Sequence, residues 1–234
     1  MSKKNLLEDQ VKAAGNASTQ RLSRRNFLGY TGLASGLLVV AACSKDDNPS
    51  SGNNGVDLGS GDTGILNYAY ALEQLEAAFY IQVIATPYAN ISATEKALLT
   101  DIRDHEVAHR EFFKKALAGS AIVGLEVDFT KIDFTSRDSV LGTAKAFEDL
   151  GVSAYNGAGK LITNPDYLVL AGKIVSVEAR HAALIRDLIS NGSFADSTVI
   201  DANGLEISRL PPAVLAIAGT YIKTKIDASH LPTA

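Results

Sequence analysis

The sequence Glu106-Val107-Ala108-His109 has a counterpart in the second half of the chain, Glu178-Ala179-Arg180-His181. Both segments place a glutamate three residues before a histidine. On an α-helix of about 3.6 residues per turn, side chains three positions apart lie on one face. Each segment therefore directs a carboxylate and an imidazole to one point, which is half of a site for a transition metal.

The similarity between the two halves continues upstream of these motifs. Glu73 is followed by Tyr80 and Glu148 by Tyr155, each seven positions on, and the surrounding segments 71–80 and 146–155 align without a gap. A helix carrying a glutamate, followed by a helix carrying Glu-x-x-His, thus occurs twice. One Glu-x-x-His match is weak evidence, because chance supplies about 0.2 in a chain like this one. The alternative to a metal site is two solvated helix faces or satisfied polar residues of the core.

The order Glu, Glu-x-x-His, Glu, Glu-x-x-His resembles that of the ferritin-like dinuclear carboxylate proteins over residues 64–191. Within that superfamily, the segment Leu72–Tyr80 is similar to a branch that includes desiccation-related plant proteins and exported bacterial proteins. The resemblance implies an all-α fold, a four-helix bundle with one long crossover between helices two and three. A short C-terminal fifth helix is expected in addition.

Apolar periodicity and capping residues predict where the helices lie. Ser92 to Glu95 forms a capping box before helix two, and Asn164-Pro165 is a cap followed by proline at the first helical position of helix four. Between helices two and three, residues 120–137 lack a helical period. The predicted helices span residues 64–85, 92–119, 138–162, 164–191 and 211–223.

The resemblance also implies a ligand set for two divalent metal ions. Glu106 and Glu178 would bridge the two ions, Glu73 and Glu148 would be terminal ligands, and His109 and His181 would each bind one ion. Nitrogen and oxygen ligands without thiolate favour iron first and manganese second, with zinc as a further occupant.

Four other residues near these ligands have open roles. Glu76 lies one turn from Glu73, but Gly151 occupies the matching position of the second half, so the repeat favours Glu73 as the ligand. Glu76 remains a candidate additional or outer ligand. Tyr80 and Tyr155 either hydrogen-bond a ligand on a neighbouring helix or are ordinary core aromatics. His105, about 100° round the helix from Glu106, is expected to point away from the site.

The N-terminal 43 residues have the pattern of an export signal. Ser23–Leu28 contains Arg24 and Arg25 and resembles the twin-arginine motif, and Val40–Cys43 resembles a lipobox. The alternative, a transmembrane helix over residues 27–42, is too short to span a bilayer comfortably. We therefore expect a lipoprotein signal peptide at 1–43 with Cys43 lipidated, a flexible polar tether at 44–63, and the bundle domain at 64–234.

These patterns place the protein at a bacterial cell envelope, lipid-anchored, most simply in the outer membrane on its periplasmic side or on the cell surface. The expected partners are the membrane, reached through the N-terminal lipid, and the twin-arginine and lipoprotein-processing machinery. An external electron donor and a second copy of the chain are further candidates. A net charge of −4 argues against nucleic acid.

Two classes of function fit the sequence. One is redox chemistry on ferrous iron, dioxygen or peroxide at a dinuclear iron or manganese centre, as in a diiron oxidase or peroxidase or a dimanganese catalase-like enzyme. The other is a non-catalytic surface or stress-related module that retains the bundle and its metal site.

Overall fold

A computed structural model describes residues 55–233 of the chain. Over this range it has five α-helices, two short 3-10 turns and a pair of two-residue strands. In chain order the strands and helices are β1 Val56–Asp57, α1 Gly61–Ala85, α2 Ala93–Leu117, α3 Arg137–Gly159, α4 Pro165–Ile189, α5 Pro211–Ala218 and β2 Ile226–Asp227. The all-α prediction is confirmed.

Local capping sets the starts of three of the helices. The Ser92 hydroxyl accepts a hydrogen bond from the backbone N–H of Glu95 at 3.0 Å, which begins α2. Ser136 plays the same role for α3, and Asn164 accepts from the N–H of Asp166 at 2.9 Å to begin α4. These bonds satisfy N–H groups that have no partner within the helix. The two caps predicted from the sequence, Ser92 and Asn164, are therefore confirmed.

The direction of the helices follows from which residues meet across the bundle. The Tyr80 hydroxyl of α1 reaches Glu148 of α3, and the Tyr155 hydroxyl of α3 reaches Glu73 of α1. Because the tyrosine follows the glutamate on both helices, this crossed pairing requires α1 and α3 to run antiparallel. The short loop 86–92 makes α2 antiparallel to α1, so α2 and α3 run parallel. A long crossover must then join α2 to α3, as predicted.

That crossover contains two copies of Asp-Phe-Thr, and both have the same structure. In each copy the aspartate accepts hydrogen bonds from the backbone N–H and the hydroxyl of the threonine two residues later, which forms a turn. The turns direct Phe129 and Phe134 onto Phe79 of α1, with ring centroids at 6.0 and 5.9 Å. The repeat therefore fastens the crossover to the bundle.

The predicted boundary between tether and domain is wrong at its C-terminal end. Val56 and Asp57 pair in parallel with Ile226 and Asp227, and Leu58 is fully buried. Residues 55–63 therefore belong to the folded domain, and α1 starts at Gly61 rather than at residue 64. The sequence suggested otherwise because these few apolar residues sit in a polar segment, and their partners lie at the far end of the chain. The predicted signal peptide at 1–43, with Arg24, Arg25 and Cys43, and the rest of the tether lie outside the described residues.

The other helix ends differ from prediction by a few residues. Helices α2, α3 and α4 end at Leu117, Gly159 and Ile189, and α5 ends at Ala218 before a 3-10 turn. Val214 and Ala218 of α5 are fully buried, and α5 packs on α3. Among residues 55–233, no helix combines the length and the apolar character that crossing a membrane requires.

Candidate metal centre

The structure brings the six predicted ligands together at the middle of the bundle. Helix α1 contributes Glu73 and α3 contributes Glu148, while α2 and α4 each contribute a Glu-x-x-His pair. All four glutamates have no solvent exposure, and His181 is 4 % exposed. Carboxylates are rarely buried to this extent unless cations or hydrogen-bond donors compensate them.

The ligand atoms form two overlapping groups, in each of which one atom per residue lies within 4.8 Å of all the others. Both groups contain Glu106 and Glu178. Glu73 and His109 complete the first group, and Glu148 and His181 complete the second. This is the arrangement that the resemblance implied, with two shared carboxylates between two positions and one further carboxylate and one imidazole at each.

The two imidazoles approach the carboxylates through Nδ1. His109 Nδ1 lies 2.8 Å from Glu178 Oε1 and 3.5 Å from Glu73 Oε2. His181 Nδ1 lies 2.8 Å from Glu106 Oε1 and 3.5 Å from Glu148 Oε2. Each nitrogen is therefore surrounded by carboxylate oxygens from other helices.

Most of these atoms nevertheless form no hydrogen bond of acceptable geometry among the described residues. The buried atoms without a hydrogen-bond partner include Glu73 Oε2, Glu148 Oε2, both oxygens of Glu106 and of Glu178, and both histidine Nδ1 atoms. A cluster evolved only to satisfy itself would align its donors with its acceptors. Here the atoms converge on common points instead, so four carboxylates and two imidazoles fit two divalent cations.

Three of the four carboxylates have raised pKa values because burial disfavours their charged form. Burial raises the pKa of Glu106 well above its usual range, and the Glu178 carboxylate adds to that shift. The pKa of Glu73 is raised by burial and by Glu178, and burial raises the pKa of Glu148 to about 7. Burial also acts to raise the pKa of Glu178, but the adjacent His109 and His181 hold it below its usual value.

The histidines respond in the opposite direction to these carboxylates. Burial acts to lower the pKa of His109, but Glu178 and Glu73 raise it to about 10. For His181, burial is likewise outweighed by Glu106 and Glu148, and the pKa rises to about 12. At neutral pH both imidazoles of the metal-free cluster therefore remain protonated and positively charged. Bound cations would replace that positive charge.

Each of the two tyrosines donates a hydrogen bond to one of the buried glutamates. The Tyr80 hydroxyl donates to Glu148 Oε1 at 2.5 Å, and the Tyr155 hydroxyl donates to Glu73 Oε1. In both residues, burial and the adjacent carboxylate raise the tyrosine pKa well above its usual value, so both remain protonated donors. Of the two roles left open by the sequence, the structure shows hydrogen bonding to a carboxylate on a neighbouring helix.

The expectation that His105 points away from the site is wrong. Its Nδ1 lies 2.9 Å from Nε2 of His181, and the two rings are nearly parallel with centroids 5.2 Å apart. His105 supplies no atom to the converging groups, but it is solvent-exposed and contacts the far nitrogen of a ligand imidazole. The prediction considered only the face of α2 and not the neighbouring α4, from which His181 reaches across.

Glu76 is buried beside the site but is absent from both ligand groups. Burial raises its pKa well above the usual value, and the carboxylates of Glu106 and Glu178 add to the shift. Its side chain occupies space opposite Gly151, where an added Cβ would lie 3.0 Å from Glu76 Oε1. The glycine in the second half of the repeat therefore makes room for the extra carboxylate of the first half.

Comparison with known proteins agrees with this geometry. A family model described as ferritin-like domain matches residues 61–191, more than half of the chain. The matched range begins with α1 and includes α4, so it contains all six converging residues. No curated protein matches the chain.

Proposed function

The chain belongs to the ferritin-like domain family, and we propose that it binds two iron or manganese ions for redox chemistry on ferrous iron, dioxygen or peroxide. The observation that carries this proposal is the convergence of buried carboxylate and imidazole atoms that lack hydrogen bonds to one another. Nitrogen and oxygen donors favour iron or manganese over soft metals, while zinc is the redox-inactive competitor.

The residues around the centre have distinct tasks in this proposal. Glu106 and Glu178, which belong to both groups of converging atoms, would hold both ions, and their negative charge would balance the cations. Tyr80 and Tyr155 fix the orientation of the two terminal carboxylates. When bound, a pair of iron or manganese ions supplies one-electron changes of oxidation state. The full burial of the glutamates keeps bulk water away from that chemistry.

Electrons for repeated turnover would come from another protein or a small reductant. The chain contains one cysteine, Cys43, which the lipobox assigns to lipidation, so no cysteine pair is left for an internal iron-sulfur site. His105 is exposed and contacts Nε2 of His181, so it connects the described surface with one of the two imidazoles of the site.

Cell-envelope anchoring belongs to the same proposal and rests on the N-terminal sequence. If Arg24 and Arg25 direct twin-arginine export, replacing both by lysine should retain the protein in the cytoplasm. If Cys43 carries the lipid, Cys43→Ser should release the domain from the membrane fraction. Protease treatment of intact cells would then separate a cell-surface location from a periplasmic one.

A non-catalytic role in stress or surface binding is the competing function. The similarity of Leu72–Tyr80 to the desiccation-related branch supports it. The contacts of 2.8 Å between imidazoles and carboxylates fit this role as well, since they give each buried imidazole a partner of opposite charge without metal.

Metal content and turnover of the natively exported protein distinguish these functions. Elemental analysis should find two iron or manganese ions per chain, with dioxygen or peroxide consumption. Glu106→Gln should lose metal, because it removes charge from a carboxylate shared by both positions. Glu111→Gln, on the same helix but with a side chain 52 % exposed, should keep both ions. A protein that contains zinc or no metal and consumes neither oxidant would refute the redox proposal.

A further inference from the structure

An apolar cavity of about 40 Å³ lies inside the bundle, at the end where α1 and α4 begin and α2 and α3 finish. Residues of all four helices line it. A cavity needs roughly 10–15 Å³ to hold one water-sized molecule. This one therefore has room for a diatomic molecule but not for a large organic ligand.

The lining of the cavity is almost entirely hydrocarbon. Apart from three tyrosines, every lining side chain is alanine, leucine, isoleucine or phenylalanine. The Tyr155 hydroxyl is engaged with Glu73, and the cavity wall exposes the rings of the tyrosines rather than their hydroxyls. Cavities with such linings remain dry and take up apolar probes such as xenon.

The cavity adjoins the metal centre through two of its lining residues. Tyr155 lines the cavity with its ring and donates its hydroxyl to the ligand Glu73. Leu72, the residue before that ligand, lines it as well. At the surface end lie Tyr167, which is 36 % exposed, and the exposed Ala116. A small molecule in the cavity is thus separated from a ligand carboxylate by one aromatic side chain.

Polarity distinguishes between the two oxidants considered above. Hydrogen peroxide carries two hydroxyl groups, and moving an unpaired hydroxyl from water into an apolar site costs about 1–3 kcal/mol by protein mutational data. Dioxygen forms no strong hydrogen bonds with water, so its transfer from water into a hydrocarbon cavity costs little free energy. We propose that the cavity binds dioxygen and delivers it to the centre, an inference that rests on the redox function proposed above.

Xenon tests the cavity independently of metal and of activity. Crystals of the full-length chain under xenon pressure should show a xenon atom between Leu72 and Ala158. Ala158→Leu should abolish that site by filling it, and the smaller change Ala69→Val serves if the leucine variant folds poorly. Ala97→Leu, at an exposed position of α2, is the matched control and should leave xenon binding unchanged.

The delivery step is tested by mixing ferrous-loaded protein with dioxygen or with peroxide in a stopped-flow instrument. Filling the cavity should slow the dioxygen reaction on the order of tenfold, which corresponds to about 1.4 kcal/mol in the barrier. Ferrous stoichiometry and the peroxide rate should not change. An absent xenon site, or an unchanged dioxygen rate in a xenon-negative variant, would overturn the cavity assignment alone. A wild-type protein that binds xenon but consumes neither oxidant would instead overturn the proposed function.

Discussion

Loading the metal-free protein with ferrous or manganous ions should release protons, and the structure sets a minimum number. The pKa values of His109 and His181 are raised to about 10 and about 12. Both imidazoles are therefore protonated at pH 7. Each Nδ1 faces the carboxylates and must lose its proton before a cation can bind there. At least two protons should thus leave per pair of ions.

The direction of the pH dependence follows from this release. Protons compete with the metals for the same atoms, so affinity should fall as pH falls. With at least two protons displaced, the combined binding constant for both ions should rise by at least about 100-fold per pH unit between pH 7 and the His109 pKa. Because the pKa of Glu148 is about 7, a third proton should make the dependence steeper below that pH.

Isothermal titration calorimetry without oxygen, repeated in buffers with different ionisation enthalpies, measures the released protons directly. His109→Gln should release about one proton fewer, because it removes one of the two protonated imidazoles. Release of clearly fewer than two protons per pair of ions, or an affinity that does not change between pH 7 and 9, would refute the assignment of these protons to the imidazoles.

Substitutions at four positions test other parts of the structure. Tyr155→Phe removes the hydroxyl that donates to the buried Glu73 Oε1 and should lower the stability of the metal-free protein to urea by about 1–3 kcal/mol. An unchanged stability would contradict that role. Gly157→Ala would place a Cβ 1.8 Å from the backbone oxygen of Arg209, in the loop before α5, and should lower the melting temperature. Gly142→Ala has open space around the added Cβ and should instead raise the stability by up to about 1 kcal/mol. His105→Val should weaken metal binding by about 10-fold or more, because it loses the contact with His181, while His105→Gln should retain most of the affinity. If a competition titration gives both variants the same metal affinity, His105 has no positioning role.

The helices and the six converging residues were predictable from the sequence because both depend on local spacing. A glutamate and a histidine three residues apart share a helix face whatever the tertiary structure, and the duplication then identifies the two remaining glutamates. Capping acts over the same short range, and for this reason Ser92 and Asn164 mark the starts of α2 and α4 correctly.

Features that depend on distant parts of the chain were not predictable in this way. Leu58 is buried and its neighbours pair with a strand near residue 226, but no local pattern connects two short polar segments so far apart. The contact between His105 and His181 spans 76 positions and depends on how α2 and α4 are rotated against each other. Helix periodicity fixes the faces of one helix and leaves that rotation undetermined.

The duplicated halves differ at two places beside the candidate metal centre, at residues 76 and 105. His105 contacts the ligand His181, but Val177 stands at the corresponding position of the second half, so His109 lacks an equivalent imidazole from α4. Glu76 adds a buried carboxylate where the second half has a glycine. Outer contacts of this kind change metal affinity and redox potential. The two positions should therefore fill in sequence rather than together, and a titration that shows two identical, independent sites would contradict this asymmetry.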